Sequence, residues 1–302
     1  MTSASWSISG ADGQPILGDT HGPAHRAGDG GAVVVIAHGF KGYKDYGMFP
    51  RLARDFAAAG HVAHRFNFSH SGMTNDVATF ARPDLFERAT WNKDVFDLTQ
   101  VLGAIDQGEL KGRERPMFVF GHSRGGVTAL LTAARLTYLR TVPDQPKATP
   151  TAVGPLRGAI TLAAPSSCNP LMPDQQAELL EQGWIESPSS RTGQRLRIGR
   201  GFLQEQLDDL AGHDLLAHVA RIACPILIIH GDADETVPVD AARQIARAAG
   251  RRASVKLIAG GDHVFNTPNP LREDQPTSLQ LKAAIDATLE FIGRTGSVAR
   301  HA

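Results

Sequence analysis

The sequence predicts an α/β protein with a mostly parallel β-sheet and helices on both faces. Short apolar runs of strand type alternate with longer segments of helical period along the 302 residues, which is the pattern of repeated βα units. Most of the short runs are almost continuously apolar, such as AVVVIA at 32–37, as expected for strands covered on both faces. A chain of this length commonly folds as one unit in α/β proteins.

The elements follow one another in a regular order. The predicted core strands are Ala32–Ala37, His61–Phe68, Met117–Gly121, Gly158–Ala163, Ile226–His230 and Ser254–Ile258. The predicted helices between and after them are Met48–Ala59, Trp91–Ile105, Arg124–Tyr138, Val239–Ala249 and Ser278–Ile292. Before the first core strand, Ser5–Ile8 and Gln14–Leu17 are expected to form an antiparallel pair around Gly10–Gly13.

Two segments interrupt the alternation. Thr141–Pro155 contains four prolines and is predicted to be a surface loop. Residues 165–212, called the insert below, contain a predicted turn at Arg191-Thr192-Gly193 and a helical run at Phe202–Leu210. We expect the insert to form a cap, or lid, over a core made of residues 1–164 and 213–293. The tail, 294–302, is expected to be disordered.

Composition excludes several classes of function. Lys+Arg and Asp+Glu number 31 each, so no global charge favours nucleic acid or an anionic membrane. No segment reaches the ~18 consecutive apolar residues that a membrane helix needs, and the N-terminus lacks the pattern of a signal peptide. We therefore expect a cytoplasmic protein with no nucleic-acid or membrane partner. The sequence does not indicate an oligomeric state.

Cofactor and metal motifs are absent from the sequence. Cys168 and Cys224 do not have metal-ligand spacing, and they can pair only if the fold brings them together. The chain contains no GxxxxGK[ST], CxxC or HExxH pattern. The sequence therefore predicts no metal and no cofactor.

One serine lies in a setting typical of a nucleophile. Gly121-His122-Ser123-Arg124-Gly125 follows the apolar strand MFVF and precedes a helical segment, which is the strand–turn–helix context of a nucleophile elbow. The sharp turn presents the serine Oγ, and larger neighbours than glycine would clash. The helix that follows also favours developing negative charge at its N-terminus. The alternative is a glycine-rich turn with an incidental serine.

Two backbone N–H groups are candidates for stabilising an oxyanion. One is that of Arg124, the residue after the nucleophile. The second is expected from the loop after the early strand AVVVIA, where His38-Gly39-Phe40 places the N–H of Phe40. We expect His38 to anchor this loop by hydrogen bonding rather than to take part in the chemistry.

The acid and the base are expected in loops after late strands, in that order. The strand SVKLI is followed by Gly260-Gly261-Asp262-His263, and His263 suits the role of base because the pKa of histidine lies near working pH. After the strand ILIIH, Asp232, Asp234 and Glu235 all compete for the role of acid. Asp232 directly follows the glycine and fits better as an acceptor of loop amides.

By these residues the chain resembles the α/β-hydrolase superfamily from about Ala32 to Ile292. The resemblance is carried by HGF at 38–40, RFNFSHSG at 65–72, GHSRGG at 121–126, HGDADETVP at 230–238 and GGDH at 260–263. The HG-x-x-D-x-x-VP element of that family implies Asp234 as the acid. Among subfamilies, the chain is most similar to bacterial carboxylesterases related to cinnamoyl (feruloyl) esterases and serine aminopeptidase-like lipases.

The resemblance and the residues together imply the α/β-hydrolase fold and hydrolysis of small acyl or aryl esters through an acyl-enzyme. Ser123, His263 and Asp234 would carry the reaction on a small-molecule ester. Apolar residues of the insert are candidates for the substrate pocket: Leu171, Met172, Leu179 and Trp184. The alternatives are cleavage of an amide at a peptide N-terminus, acyl transfer, or a non-catalytic fold member that binds a small ligand.

Two charged patterns have more ordinary interpretations. Asp94 and Asp97 lie one turn apart among apolar residues, which predicts a surface stripe rather than a pair of catalytic carboxylates. Four arginines of the insert could recognise an acidic group of a substrate or partner, but the more common arrangement is the solvated face of a hairpin. They are Arg191, Arg195, Arg197 and Arg200.

Overall fold

The computed structural model describes residues 2–23, 31–141 and 153–296. The strands are β1 Thr2–Ser9, β2 Pro15–Gly22, β3 Val33–Ala37, β4 Val62–Asn67, β5 Met117–His122, β6 Leu156–Leu162, β7 Trp184–Pro188, β8 Arg195–Gly199, β9 Ile226–Gly231 and β10 Ala253–Ile258. The helices are α1 Phe49–Ala58, α2 Pro83–Glu87, α3 Trp91–Gln107, α4 Arg124–Thr141, α5 Pro173–Gln182, α6 Gly201–Asp208, α7 Leu215–Val219, α8 Asp240–Ala249 and α9 Leu279–Gly296.

Within the described residues, the main sheet has eight strands in the order β1-β2-β4-β3-β5-β6-β9-β10. β1 and β2 pair antiparallel, as do β2 and β4, and every pairing from β4 to β10 is parallel. The fold is therefore the α/β-hydrolase fold that the sequence predicts.

Helices cover both faces of the sheet because its strands are apolar on both sides. Alternate residues of β3 point in opposite directions. Val33 and Val35 join a core with residues of α3, α4 and α8, whereas Val34 and Ile36 join a second core with residues of α1 and α9. The strand is fully buried, which is the physical basis of the continuous apolar run in the sequence.

Local sequence signals set the ends of the helices. Thr90 caps α3 by accepting the N–H of Lys93, and Gly108 ends it with a left-handed φ of 84°. Between these ends α3 packs against α4, the helix that begins at the nucleophile candidate.

The insert contains α5, the hairpin β7–β8 and α6, and its hydrogen bonds to the core include those of Glu205 and Gln194. Glu205 of α6 accepts the N–H groups of Trp91 (2.6 Å) and Asn92 (3.2 Å) at the start of α3. Gln194, next to β8, accepts the N–H of Phe80 and donates to its carbonyl at 2.7 and 3.1 Å. The insert is therefore bound to the core both at the β7–β8 hairpin and at α6.

The structure corrects the interpretation of Asp94 and Asp97 as a surface stripe. Both carboxylates are buried, at 4% and 0% exposure. Asp97 accepts the N–H groups of Ala11 and Ser69, both at 2.7 Å, and Asp94 accepts Arg124 Nε at 2.9 Å. Thus the N-terminal hairpin and the loop after β4 cover the side of α3 that was expected to face solvent.

The ends of the chain also differ from the prediction. β1 and β2 pair over eight residues each, which extends the predicted pair because the hairpin packs on α3. Helix α9 continues to Gly296, so residues 294–296 of the predicted tail are helical and 297–302 lie outside the described residues. Most of the proline-rich segment, 142–152, lies outside them as well. Cys168 and Cys224 are free thiols.

Among the helices of the described ranges, none is both long enough and apolar enough to span a membrane.

Candidate active site

The site lies where the carboxyl ends of parallel strands meet, which is where open α/β sheets bind ligands. The loops after β3, β5, β9 and β10 all emerge at this edge of the sheet because these strands run parallel within it. They carry, in turn, Phe40, Ser123, Asp234 and His263. Residues that are far apart in sequence therefore converge on one point.

Ser123 occupies a strained turn between β5 and α4. Its φ is 53°, a left-handed conformation that costs free energy for a residue with a side chain and clusters at functional sites. Its N–H donates to the carbonyl of Leu162 at 2.8 Å, which fixes the turn to β6. A Cβ on Gly125 would lie 2.4 Å from the carbonyl oxygen of Ala37, so only glycine allows α4 to begin this close to β3.

Ser123, His263 and Asp234 form a continuous chain of hydrogen bonds. Ser123 Oγ lies 3.0 Å from His263 Nε2, and His263 Nδ1 lies 2.9 Å from Asp234 Oδ2. An ionised carboxylate only accepts hydrogen bonds, so Nδ1 carries the proton and Nε2 is free to accept the serine hydroxyl. The Asp234 carboxylate is fully buried, whereas the His263 side chain keeps 18% exposure.

Hydrogen bonds keep Asp234 ionised in spite of its burial. Burial raises the pKa of a carboxyl group, but hydrogen bonds from His230, His263 and the Val237 N–H outweigh it and hold the pKa of Asp234 well below its usual range. Its Oδ1 accepts the N–H groups of Thr236 and Val237, both at 2.9 Å. The carboxylate is therefore fixed in position and remains charged at neutral pH.

The competing carboxylates have other partners. Asp232 Oδ1 accepts the N–H of Gly260 at 2.7 Å, which joins the loop after β9 to the loop after β10. Glu235 is exposed. The structure brings Asp234, and neither of these two, to the ring of His263.

Two further histidines make hydrogen bonds to the loops that carry His263 and Asp234. His122 Nε2 donates to the carbonyl of His263 at 2.8 Å; burial, followed by the charge of His263, lowers the pKa of His122 to about 3 and keeps its ring neutral. His230 is fully buried, and its Nε2 lies 2.9 Å from the Val237 carbonyl and 3.3 Å from Asp234 Oδ2. Both rings hold loops that carry the hydrogen-bonded chain.

The expected oxyanion donors lie close to Ser123. Arg124 is the first residue of α4, so its N–H has no partner within the helix. A Cβ on Gly39 would come within 3.1 Å of Ser123 Cβ, which shows how closely the loop carrying Phe40 approaches the serine. His38 Nδ1 lies 2.8 Å from the Gly39 carbonyl, and its Nε2 accepts the N–H of Phe68 at 3.3 Å. His38 therefore holds this loop.

The side chain of Arg124 is part of the wall beside the serine. Its Nε pairs with the buried Asp94 at 2.9 Å. Its guanidinium carbon lies 4.5 Å from the centre of the Trp91 ring and 5.1 Å from that of Phe202, so the charge is held by a carboxylate and two aromatic faces.

Two cavities of different character both have Ser123 in their walls. The first, the apolar cavity, has a volume of about 400 Å³. Besides Ser123, Phe40 and Arg124, its wall includes residues from the insert, from α3 and from the loop after β9: Trp91, Leu171, Ile198, Phe202, Val237 and Pro238.

The second, the polar cavity, has a volume of about 180 Å³. It shares Ser123 and Phe40 with the apolar cavity, but His263 lines this one only. Its polar wall is formed by the loop after β3 and the tip of the β7–β8 hairpin: Lys41, Tyr46, Ser189, Ser190 and Arg191.

Of the four apolar residues expected to form a substrate pocket, Leu171 is the one that lines the apolar cavity. Leu179 packs against Ile185 and Leu203 inside the insert. Met172 is 63% exposed, and Trp184 stacks with Arg197 at 3.8 Å. These three side chains serve the packing or the outer surface of the insert because its short elements bury apolar residues between themselves.

Sequence analysis missed most of the cavity walls. Trp91 and Phe202 lie on α3 and α6, 111 residues apart in the sequence, and their helical spacing gave no sign that they would meet. Lys41 directly follows Phe40, the predicted oxyanion residue, and this position in the sequence could have indicated that Lys41 lies at the site. Among the described residues, no group of three or more His, Cys, Asp or Glu side chains is arranged to hold a metal ion.

This geometry can activate a hydroxyl nucleophile, stabilise an oxyanion and hold an acyl group beside them. The sequence pattern of the alpha/beta hydrolase family matches residues 34–273, and the chain belongs to that family. Family membership and its esterase- and lipase-like relatives support hydrolase activity.

Individual relatives are similar over almost the whole chain. A monoacylglycerol lipase of Mycolicibacterium smegmatis is 26% identical over 286 residues, which cover 88% of this chain and 92% of that protein. Est1E of Butyrivibrio proteoclasticus, solved with ferulic acid bound, is 18% identical with a TM-score of 0.64 and covers 96% of this chain and 98% of its own. The α/β hydrolase GrgF of Penicillium sp. sh18 is 14% identical with a TM-score of 0.69, covering 98% and 100%.

Proposed function

We propose that the protein is a serine carboxylesterase that hydrolyses esters through an acyl-enzyme on Ser123. The observation that carries the proposal is the hydrogen-bonded chain Ser123–His263–Asp234 on a strained turn at the start of α4. A serine that is merely structural needs neither a left-handed φ nor a histidine held by a buried carboxylate.

In the acylation step, Ser123 Oγ attacks the ester carbonyl carbon while His263 Nε2 takes the hydroxyl proton. The carbonyl oxygen becomes an oxyanion and accepts the N–H groups of Phe40 and Arg124. When the tetrahedral intermediate collapses, the bond to the alcohol oxygen breaks, and His263 gives its proton to that oxygen. The alcohol leaves and the acyl group stays on Ser123.

Deacylation repeats these steps with water. His263 takes a proton from the water as its oxygen attacks the acyl carbon, and the bond to Ser123 Oγ then breaks as the proton returns to the serine. The products are the carboxylic acid and the free enzyme. Asp234 keeps the Nδ1 proton of His263 in place throughout and stabilises the imidazolium, because the low pKa of Asp234 leaves it ionised.

The position of His263 supports different roles for the two cavities. His263 must reach the leaving oxygen, and it lines the polar cavity and not the apolar one. The alcohol therefore occupies the polar cavity, and the acyl group occupies the apolar cavity under the insert, which acts as a cap. A cavity of about 400 Å³ lined by Trp91 and Phe202 suits an aryl or medium-length aliphatic acyl group.

Turnover of p-nitrophenyl esters by the wild type and by Ser123→Ala tests the proposal. We expect the wild type to release p-nitrophenol and Ser123→Ala to lose activity by on the order of 10⁶-fold. Hydrolysis of peptide N-terminal amides without ester hydrolysis would favour the amidase alternative. Equal activity of the two proteins would refute the assignment of Ser123.

A further inference from the structure

We infer that the polar cavity recognises a small anionic group, a carboxylate or phosphate, on the alcohol part of the ester through Lys41 and Arg191. The inference rests on the proposed function, since it assigns the alcohol side of the same site. It concerns a substrate class: esters that join an apolar acyl group to a negatively charged alcohol.

Lys41 places an ammonium group next to the oxyanion loop. It follows Phe40 directly and lies 5.3 Å from the centre of that ring. Its Nζ donates to the carbonyl of Pro188 at 2.7 Å, which holds the side chain between the core and the hairpin tip. Among the described residues, no carboxylate oxygen lies within 4.0 Å of this ammonium, so its charge has no anionic partner.

Arg191 is fixed in a comparable way at the hairpin tip. Its guanidinium carbon lies 4.7 Å from the centre of the Tyr43 ring and 5.2 Å from that of Phe80. Its Nη1 donates to the Val77 carbonyl at 2.5 Å, and its Nη2 lies 3.5 Å from Met73 Sδ. Within the described ranges it too has no ion-pair partner. Contacts with aromatic rings hold this charge in place without neutralising it.

Three other cations near the site are paired. Lys44 pairs with Asp19 and Asp45, and Arg124 pairs with Asp94. On the same hairpin as Arg191, Arg195 pairs with Glu186 at 2.5 Å. The charges of Lys44, Arg124 and Arg195 are therefore neutralised, whereas those of Lys41 and Arg191 at the polar cavity are not.

The wall of the polar cavity contains no acidic residue among those described. The nearest acidic residue in sequence to His263 is Asp262, and its Oδ1 accepts the N–H groups of Val264 and Asn266 at 2.9 and 2.7 Å. With Lys41 and Arg191 on the wall, the field in this half-enclosed space favours an anion. Tyr46, Ser189 and Ser190 add hydroxyl groups that can donate hydrogen bonds to it.

A pair of cinnamoyl esters tests the inference. One has 4-hydroxybenzoate as its alcohol part, and the other has the neutral, nearly isosteric 4-hydroxybenzamide. We compare the ratio of kcat/KM for the anionic ester to that for the neutral ester in wild type and variants. Differences in leaving-group reactivity between the two esters cancel when this ratio is compared between proteins.

We expect the ratio to fall about tenfold in Lys41→Gln and further in Lys41→Gln/Arg191→Gln, as charge-assisted hydrogen bonds are lost. Arg195→Gln is the matched control, because it removes a cation from the same hairpin that is paired with Glu186; its ratio should equal that of the wild type. Lys41→Gln alone decides the outcome if the double variant does not fold, since Lys41 is partly exposed and glutamine can still donate a hydrogen bond to the Pro188 carbonyl.

An unchanged ratio in folded Lys41→Gln would overturn the inference, and so would an equal fall in Arg195→Gln, which would indicate a general surface effect. Failure of the proposed function has a different signature. In that case Ser123→Ala would hydrolyse the neutral ester as fast as the wild type does. A folded Lys41→Gln with an unchanged ratio, together with inactive Ser123→Ala, would leave the esterase proposal in place and remove the anionic substrate class.

Discussion

Asp232 and Asp234 show how two residues on one loop acquire different roles. Asp232 Oδ1 accepts a backbone N–H from the neighbouring loop, whereas Asp234 accepts two N–H groups on one oxygen and His263 on the other. Asp234 fixes the tautomer of the histidine by accepting its Nδ1–H, and the two N–H groups on the other oxygen hold the carboxylate in position. The distinction follows from hydrogen-bond partners, since both residues are of the same type.

The first prediction concerns these two carboxylates. Asp234→Asn should lower kcat by about 10⁴-fold, the loss that the equivalent change causes in a serine protease, because an amide can present the wrong hydrogen-bonding atom to His263. Asp232→Asn is the matched control and should reduce kcat far less. Steady-state kinetics on one p-nitrophenyl ester measure both, and a larger loss in Asp232→Asn would reverse the assignment.

At the residue scale, the sequence predicted the loops better than the pocket. Ser123 and His263 could be located because a strand followed by a glycine-rich turn leaves few positions for a side chain. Met172 and Leu179 could not be placed, since hydrophobicity alone does not say whether a residue of an insert faces a cavity, its own core or solvent. In the structure, Met172 is exposed and Leu179 is fully buried within the insert.

At the scale of elements, one face of the insert forms part of the wall of the apolar cavity. Leu171, Ile198 and Phe202 come from three different parts of the insert and line the same apolar cavity. Leu171 and Met172 are adjacent, yet the first faces the cavity and the second faces solvent. This pair allows a test in which size changes at the pocket and at a neighbouring position are compared directly.

The second prediction is that Leu171→Trp restricts the acyl group. The larger side chain should fill part of the apolar cavity and lower kcat/KM for cinnamoyl or octanoyl esters roughly tenfold, with acetyl esters almost unaffected. Met172→Trp adds the same side chain at the exposed neighbour and should leave the ranking of esters as in the wild type. If both variants keep the wild-type ranking, the apolar cavity does not hold the acyl group.

Helix α3 carries a buried acidic residue that couples the N-terminal hairpin to the core. Burial raises the pKa of Asp97 to about 7, while the N–H groups of Ala11 and Ser69 oppose the rise. The unfolded chain has an ordinary aspartate pKa near 4. Because the folded pKa is the higher, the folded protein binds more protons between these values, and stability from this group is lost as pH rises.

The third prediction follows from that sign. The unfolding free energy of the wild type minus that of Asp97→Asn should decrease as pH rises from about 4 to about 7. Above that range the difference should stay constant. Urea unfolding at several pH values measures it, and Asp274→Asn, an exposed carboxylate, serves as the control. If this difference instead increases over this range, the two N–H groups affect the pKa of Asp97 more than burial does.

The mistaken interpretation of α3 has a physical reason. Asp94 and Asp97 share a side of the helix, with a spacing typical of a solvated stripe. A helix that covers a sheet in a three-layer fold usually has one side exposed to solvent. Here the turn between β1 and β2 and the loop after β4 lie over Asp97 and donate backbone N–H groups to it. A contact between residues 11 and 97 is long-range, and a helical pattern carries no information about it.

At the scale of the whole molecule, the sheet defines the site and the insert divides it. Parallel strands bring the loops of Phe40, Ser123, Asp234 and His263 to one edge. The insert, bound to the core through Glu205 and other contacts, adds apolar residues to one cavity and polar residues to the other. The alternation of apolar runs was enough to predict the sheet and its helices. The division depends on how the insert docks, which the sequence did not reveal.

The central claim is that Ser123 is the nucleophile, and covalent labelling tests it most directly. A fluorophosphonate reacts with an activated serine and stays attached, so mass spectrometry of the digested protein identifies the modified residue. We predict one adduct per chain, located on Ser123 in the wild type, and loss of that adduct in Ser123→Ala. Labelling at a different serine, or no labelling of folded wild-type protein that hydrolyses esters, would contradict the account.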